Sequence, residues 1–144
     1  MLVDSIAAYL LLNKKKMPLT DNLEHLRRYI SLNVEDDTIR VVTGPGGIKG
    51  VALWKMTTAE KGEPGIWEHS DPDGDIIVMY HIVTDSLWAV GRLAGYILEK
   101  YPGLKEMWGE RSGRNRKFSV EYLKRLTRAK FNNQIKDQDE WANQ

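Results

Sequence analysis

Apolar residues recur with helical spacing in two stretches near the start of the chain. DSIAAYLLLN, residues 4–13, places Ile6, Tyr9 and Leu10 on one side of a helix. LTDNLEHLRRYISLNV, residues 19–34, gives helical spacing to Leu23, Leu26 and Ile30. The side chains that can cap the N-termini are Asp4 or Ser5 in the first stretch and Thr20 or Asp21 in the second. The pattern therefore predicts two helices before any strand.

After EDD, residues 35–37, the pattern becomes extended. TIRVV (38–42) and IKGVALWKM (48–56) are rich in β-branched and apolar residues and flank the turn TGPGG, which predicts a β-hairpin. The run IIVMYHIV (76–83) shows no alternation, so we predict a central strand buried on both faces. The polar segment 57–74 between them predicts a long loop, and loops of this length are often functional.

A strand–helix–strand crossover follows. The spacing predicts a helix from about Ser86 to Lys100, ended by YPG, and a strand in LKEMWGER, residues 104–111. The next segment, GRNRKFSVEYLKRL, is either a strand around Lys117–Val120 or the early start of a final helix. The residues predicted to share the buried face of the crossover helix are Leu87, Val90, Ala94, Ile97, Leu98 and Tyr101.

These elements predict an α+β fold close to α/β, with a mixed central β-sheet flanked by helices. The order is α-α-β-β-β-α-β. The length of 144 residues suits one domain, which we place at residues 1–126, with a polar C-terminal tail or final helix over 127–144.

Composition excludes several classes of chemistry. The chain has no cysteine, which rules out disulfides, thiolate metal sites and a cysteine nucleophile. The apolar stretch SIAAYLLL precedes its lysines, the reverse of a secretory signal, and no apolar run approaches the roughly 18 residues of a membrane span. We therefore expect a cytoplasmic protein without a membrane span.

Positive charge is concentrated in one segment, although the formal net charge is only +1. Between residues 105 and 130 there are nine Lys or Arg residues and three acids. Such a segment can bind the phosphates of CoA or of nucleic acid, or it can form a solvated surface.

The order of elements, over roughly residues 4 to 120, resembles the GNAT fold of acyl-CoA N-acyltransferases. In that family the strand before the central helix splays from its neighbour, the acyl-pantetheine arm lies in the gap, and the pyrophosphate rests on the helix N-terminus. Free amides and the positive end of the helix dipole explain the last contact. The glycine-rich GNAT signature is absent here, and TDS, residues 84–86, occupies the junction.

A narrower resemblance is to the toxin-activating lysine acyltransferases. It rests on scattered positions between about Met17 and Val120, notably in PLTDNLEHLRRYI, GPGGIKGVALWKMTTAE, IWEHSDPDGDIIVMYHIVTDSLW and ILEKYPGLKEMWGERSGRNRKFSV. The positions that match the catalytic His and Asp of that branch hold Lys14–Lys16 and His81. Its catalytic pair is therefore not carried over.

An acyltransferase interpretation assigns a role to each candidate residue. The donor would be acyl-CoA or acetyl-CoA and the acceptor an amine, with no metal. His81 would be the general base, because its pKa lies near working pH, and Asp75 would orient a base or activate it through water. The candidate donor-binding residues are Val83, Thr84, Ser86, Gly91, Arg92, Arg111 and Arg114.

Each of these assignments has a structural alternative. His81 can be a buried histidine with one hydrogen bond, Asp85 and Ser86 can be helix caps, and Gly91 and Gly95 can allow close helix packing. The whole domain can equally be a non-catalytic binding or assembly module, or bind nucleic acid through residues 111–130. The acidic run EHSDPDGD, residues 68–75, lacks the spacing of a calcium loop and is more typical of a solvated turn.

Overall fold

The structure, a computed structural model, describes residues 2–13, 22–111 and 114–128. The elements are α1 (Leu2–Leu12), α2 (Leu23–Glu35), β1 (Ile39–Gly44), β2 (Gly47–Thr57), β3 (Ile76–Thr84), α3 (Leu87–Lys100), β4 (Glu106–Arg111) and β5 (Arg114–Ser119). A further helix, α4, runs over 120–128. The α+β class with a mixed sheet is confirmed, and the ambiguous final segment contains both a strand and a helix.

All five strands form one sheet in the order β1-β2-β3-β4-β5. Three neighbouring pairs are antiparallel, and β3 and β4 are parallel across the α3 crossover, as predicted. None of the described helices is long and apolar enough to cross a membrane.

Two hydrophobic cores lie on opposite faces of the sheet. Helices α1 and α2 cover one face, and α3 with α4 covers the other. Strand β2 contributes to both, because successive side chains point to opposite faces and every residue from Gly50 to Thr57 is buried. On the α1–α2 face β2 supplies Val51 and Leu53; on the α3 face it supplies Ala52, Trp54 and Met56.

Several local predictions differ from the structure. Helix α1 begins at Leu2, so Asp4 lies in its first turn and pairs with Arg27 (Nε–Oδ1 2.8 Å) instead of capping. Asn22 caps α2 by accepting from the backbone N–H of His25, whereas Thr20 and Asp21 lie outside the described residues.

The predicted buried face of α3 is right for Ala94 and Ile97, which are in the core, and for Leu98 and Tyr101, which pack against it, but it is wrong at the start of the helix. Leu87 is 56% exposed, while Trp88, Ala89 and Leu93 are in the core. Strand β3 is central, but only its first half is buried on both faces, since residues 79–81 are partly buried and Ile82 is exposed. The helical spacing is right, and the sheet decides which side of the helix faces it.

The loop over 58–75 returns against the end of β2 at Gly74. A Cβ on Gly74 would lie 2.6 Å from both the backbone N and O of Thr57, so no side chain fits there. The neighbouring Asp75 N–H donates to the Thr57 carbonyl at 3.0 Å. This contact starts β3 in register with β2.

We predict that Gly74→Ala destabilises the protein by about 1–3 kcal/mol, because backbone and not a flexible side chain must move. Urea unfolding monitored by circular dichroism measures the change. Gly103→Ala is the matched control, since a Cβ there meets nothing within 4 Å. Equal stability of the two variants would contradict the prediction.

Candidate functional site

Strands β3 and β4 separate soon after they begin to pair. Their parallel ladder contains only Ile76–Glu106, Ile77–Met107 and Val78–Trp108, although β3 continues to Thr84 and β4 to Arg111. Beyond Val78 the backbone groups of β3 that face β4 have no strand partner in the described sheet. The two strands therefore form the sides of a gap that opens toward the end of β3.

A cavity of about 250 Å³ occupies the start of this gap. Its aromatic surface comes from Trp108 and Tyr80, and Gly109 adds no side chain. The charged groups around it are of both signs: Glu63 and Glu110, and Arg116 and Lys117. We call this cavity the β3–β4 cleft.

A β-bulge in β3 sets the direction of Tyr80, which lines the cleft, and of the next residue, His81, which is not among the residues that line it. His81 pairs with Leu53 and Met79 pairs with Trp54, which leaves Tyr80 as an extra residue. Tyr80 donates a hydrogen bond to the Pro64 carbonyl of the 58–75 loop, and the ring of His81 lies against α2. The bulge thus turns two consecutive polar side chains toward the same side of the sheet.

His81 makes its hydrogen bond with Tyr29 of α2, at 2.8 Å between Nδ1 and Oη. The two rings meet edge to face at 5.3 Å. Burial lowers the pKa of His81 to about 4, so the imidazole is neutral at pH 7. Burial also raises the pKa of Tyr29, which keeps its phenol protonated.

The tautomer of this pair decides what His81 can do. If Nδ1–H donates to Tyr29, the other ring nitrogen, Nε2, has a free lone pair and can accept a proton. If the phenol of Tyr29 donates to Nδ1, Nε2 carries the proton and can only donate. The contact therefore leaves one ring nitrogen of His81 that either accepts or donates a proton at neutral pH. Because burial lowers the pKa of His81 to about 4, the expectation that its pKa lies near working pH is wrong, and the imidazole is a weaker base than the sequence predicts.

The 58–75 loop packs against α2 next to the Tyr29–His81 pair. Trp67 packs edge to face against Tyr29 (6.3 Å) and His25 (6.2 Å), although its own side chain is 49% exposed. His69 and Ser70 fix the loop to the end of α2, where Asp36 accepts from the Ser70 N–H at 2.9 Å and bonds His69 Nδ1 at 2.8 Å. His69 and Ser70 of the run EHSDPDGD therefore anchor the loop to α2.

Lys55 is buried beneath the same loop, and sequence reasoning overlooked it. Its side chain is fully buried, and Nζ has no hydrogen-bond partner in the described parts of the chain. Burial lowers its pKa, while the carboxylates of Asp36 and Glu68 act in the opposite direction. Its position in an apolar strand run gave no signal, since a lysine there also fits an exposed strand position.

The junction after β3 has the predicted position. Ser86 is the N-cap of α3 by its extended backbone, but its side chain makes no capping bond, and its buried Oγ has no partner among the described residues. Asp85 accepts from Tyr9 Oη at 3.1 Å. Thr84 and Val83 end β3, on the open side of the β3–β4 gap.

Asp75 is not near His81. It lies six positions earlier, immediately before β3 begins, about 20 Å away along the strand direction, and it forms an ion pair with Lys105 (Oδ2–Nζ 2.9 Å). The structure therefore does not bring together the two residues predicted to share catalysis.

The remaining predicted donor-binding residues divide between two places. Arg111 and Arg114 are opposite each other in the backbone ladder at the turn end of the β4–β5 hairpin. Because β3 and β4 are parallel, this end of the hairpin lies on the open side of the gap. Gly91 and Arg92, in contrast, line a different groove beside β1. The described basic side chains of β5 and α4 are exposed: Arg114, Arg116, Lys117, Lys124, Arg125 and Arg128.

Comparison with known proteins gave no family model, no curated protein and no solved structure that matches this chain significantly. The resemblance to acyltransferases therefore stays a prediction. In the described residues, no group of three or more His, Cys, Asp or Glu side chains is arranged to hold a metal ion.

We predict that stability falls as the pH falls from about 6.5 to about 4. The folded protein holds His81 neutral down to about pH 4, whereas an unfolded histidine binds its proton near 6.5, so protons favour the unfolded state in this window. The loss should approach about 3 kcal/mol, measured by urea unfolding at several pH values. His81→Gln should flatten the curve between these limits, and an unchanged slope in the variant would contradict the assignment.

We predict that Lys55→Met stabilises the protein by about 1–3 kcal/mol at pH 7, because a thioether of similar length replaces a buried amine without a hydrogen bond. The lowered pKa also means that wild-type stability should rise from neutral pH toward 10, and that the variant should lack this rise. Lys124→Met, at an exposed position, is the control and should change stability by less than about 0.5 kcal/mol. Destabilisation by Lys55→Met would show that the amine is paired in solution.

Proposed function

We propose that the protein is an N-acyltransferase that uses acyl-CoA, with the donor entering between β3 and β4. The observation that carries the proposal is the early end of the β3–β4 ladder, which leaves a gap where an acyl-pantetheine arm can lie beside main-chain groups between Met79 and Val83 that have no β4 partner in the described sheet. Such N–H groups can hydrogen-bond the thioester carbonyl and stabilise the oxyanion that forms when the amine attacks.

Charged and polar groups support binding of the CoA part at the open end of the gap. Arg114 and Arg116 are exposed on the adjoining hairpin, and arginine forks bind phosphate oxygens well. The Ser86 hydroxyl, which has no hydrogen-bond partner among the described residues, lies at the start of α3, where backbone N–H groups also favour anions. In this proposal the donor is acetyl-CoA or a longer acyl-CoA.

His81 is the proposed general base, in the tautomer in which Nδ1–H donates to Tyr29. Its Nε2 then removes the proton from the attacking amine. Glu63 and Glu110, which line the β3–β4 cleft, would attract an acceptor that carries positive charge before it loses that proton. Asp75 has no part in this mechanism, because it lies at the other end of β3.

The test is to add CoA, acetyl-CoA and longer acyl-CoAs and to measure the melting temperature and the heat of binding. Saturation at 100 times Kd stabilises a protein by about 2.7 kcal/mol, which raises the melting temperature by several degrees. Transfer to a lysine-containing peptide is followed by release of the free CoA thiol. The chain has no cysteine and adds no background to this assay.

Two variants separate donor binding from chemistry. Gly109→Val should abolish the rise in melting temperature, since Gly109 lines the cleft and a Cβ there has ordinary contacts of 3.8–3.9 Å, so that only the larger side chain enters the cleft. His81→Gln should keep the rise and lower kcat at least 100-fold, whereas His25→Gln, at an exposed histidine, should change neither. Absence of both binding and thiol release for every acyl-CoA would reject the acyltransferase proposal.

A further inference from the structure

A groove of about 580 Å³ lies between β1 and helix α3, on the other side of the sheet from the β3–β4 cleft. One wall is the strand segment 40–43, and the other is a single face of α3, with Thr127 of α4 at one end. We call it the edge groove. The residues of α3 that line it are Gly91, Arg92, Gly95, Tyr96 and Glu99.

The strand wall of the edge groove includes main chain. Four consecutive residues, Arg40 to Thr43, line it, although the side chains of a strand alternate between the two faces of a sheet. Because β1 is the outermost strand, its outer edge has no neighbouring strand in the described sheet. An edge of this kind is a template for an extended chain that adds as a further strand.

On the α3 side of the groove, Gly91 and Gly95, one helical turn apart, contribute no side chains. A Cβ on Gly95 would meet only the Thr127 Cγ2, at an ordinary 3.7 Å, so packing does not require glycine at this position. Glycine destabilises a helix interior relative to alanine, and nothing in the contacts of Gly95 compensates for it. Without side chains at Gly91 and Gly95 the groove is deeper, and the side chains of an added strand can lie in this space.

Two arginines give the edge groove its charge. Arg40 lies over the ring of Tyr96 at 4.3 Å and Arg92 over that of Trp88 at 6.0 Å, and both are exposed. Neither has a carboxylate partner in the described part of the chain, and Glu99 is the one acid among the lining residues. A guanidinium that stacks on a ring keeps its N–H donors free for a carboxylate.

We propose that the edge groove binds an extended, acidic peptide segment of a partner protein, which adds to β1 as a sixth strand. Main-chain hydrogen bonds along Arg40–Thr43 provide the attachment. Every second side chain of the segment faces the groove, and these side chains are the acidic ones, which enter the space above Gly91 and Gly95 and bind Arg40 and Arg92. This role is independent of the β3–β4 cleft and of any acyl transfer.

The probe is a fluorescein-labelled peptide of seven residues in which valine and glutamate alternate, and the full chain is titrated into it at low salt while fluorescence anisotropy is measured. We expect saturable binding, and binding at least tenfold weaker for the same peptide with lysine in place of glutamate. No saturable binding, or equal affinity for the two peptides, would overturn the proposal.

Variants of the full chain locate the contact. Arg92→Glu should weaken binding at least tenfold, and Gly95→Leu should do so by filling the groove, with circular dichroism confirming that both variants fold. Arg28→Glu makes the same charge change at an exposed position of α2, on the other face of the sheet, and should leave the affinity for the peptide unchanged. Equal loss in all three variants would indicate general electrostatic attraction and would reject the edge groove.

Amide hydrogen exchange decides whether β1 is the strand that pairs. The peptide should slow exchange of amides within 40–43 at least tenfold and leave those of β5, at the other edge of the sheet, unchanged. Protection of the β1 edge before peptide is added would show that residues 129–144 or a second copy of the chain already fills the groove, which would also overturn the proposal.

Discussion

The antiparallel pairing of β2 with β3 is the interaction on which the rest of the structure depends. Strand β2 is buried from Gly50 to Thr57 and supplies side chains to both hydrophobic cores, so α1 and α2 on one face and α3 on the other are positioned relative to it. The close approach of Gly74 to Thr57 starts the pairing. A shift of one residue would exchange the two faces and place core residues in solvent.

The bulge in this pairing and the early end of the next ladder create the candidate site. The extra residue at Tyr80 turns Tyr80 and His81 toward α2 and the loop, while β4 leaves β3 after Val78. Burial against Tyr29 then keeps the imidazole neutral. The residues at the site are thus determined by two irregularities in an otherwise regular sheet.

The two edges of the sheet differ in what they offer. At one edge the β4–β5 hairpin presents exposed arginines beside a cleft that contains aromatic rings and acids. At the other, β1 presents main chain beside a helix with two glycines and two arginines. Gly91 and Arg92, which a chain-order argument assigns to the cofactor, belong to the second edge, because the face of α3 that carries them points toward β1.

The sequence by itself determined the order of the elements, the mixed sheet and the parallel crossover, because period-2 and period-3.6 patterns and the turn residues are local properties. Only the tertiary structure decided that Lys55 is buried, that Asp75 pairs with Lys105 and lies far from His81, and that β3 and β4 separate after Val78. These outcomes depend on strand register and on which residues of other elements pack nearby. A pattern read along one chain does not contain the distances between segments that are far apart in sequence, and those distances set the burial, pairing and charge of each side chain.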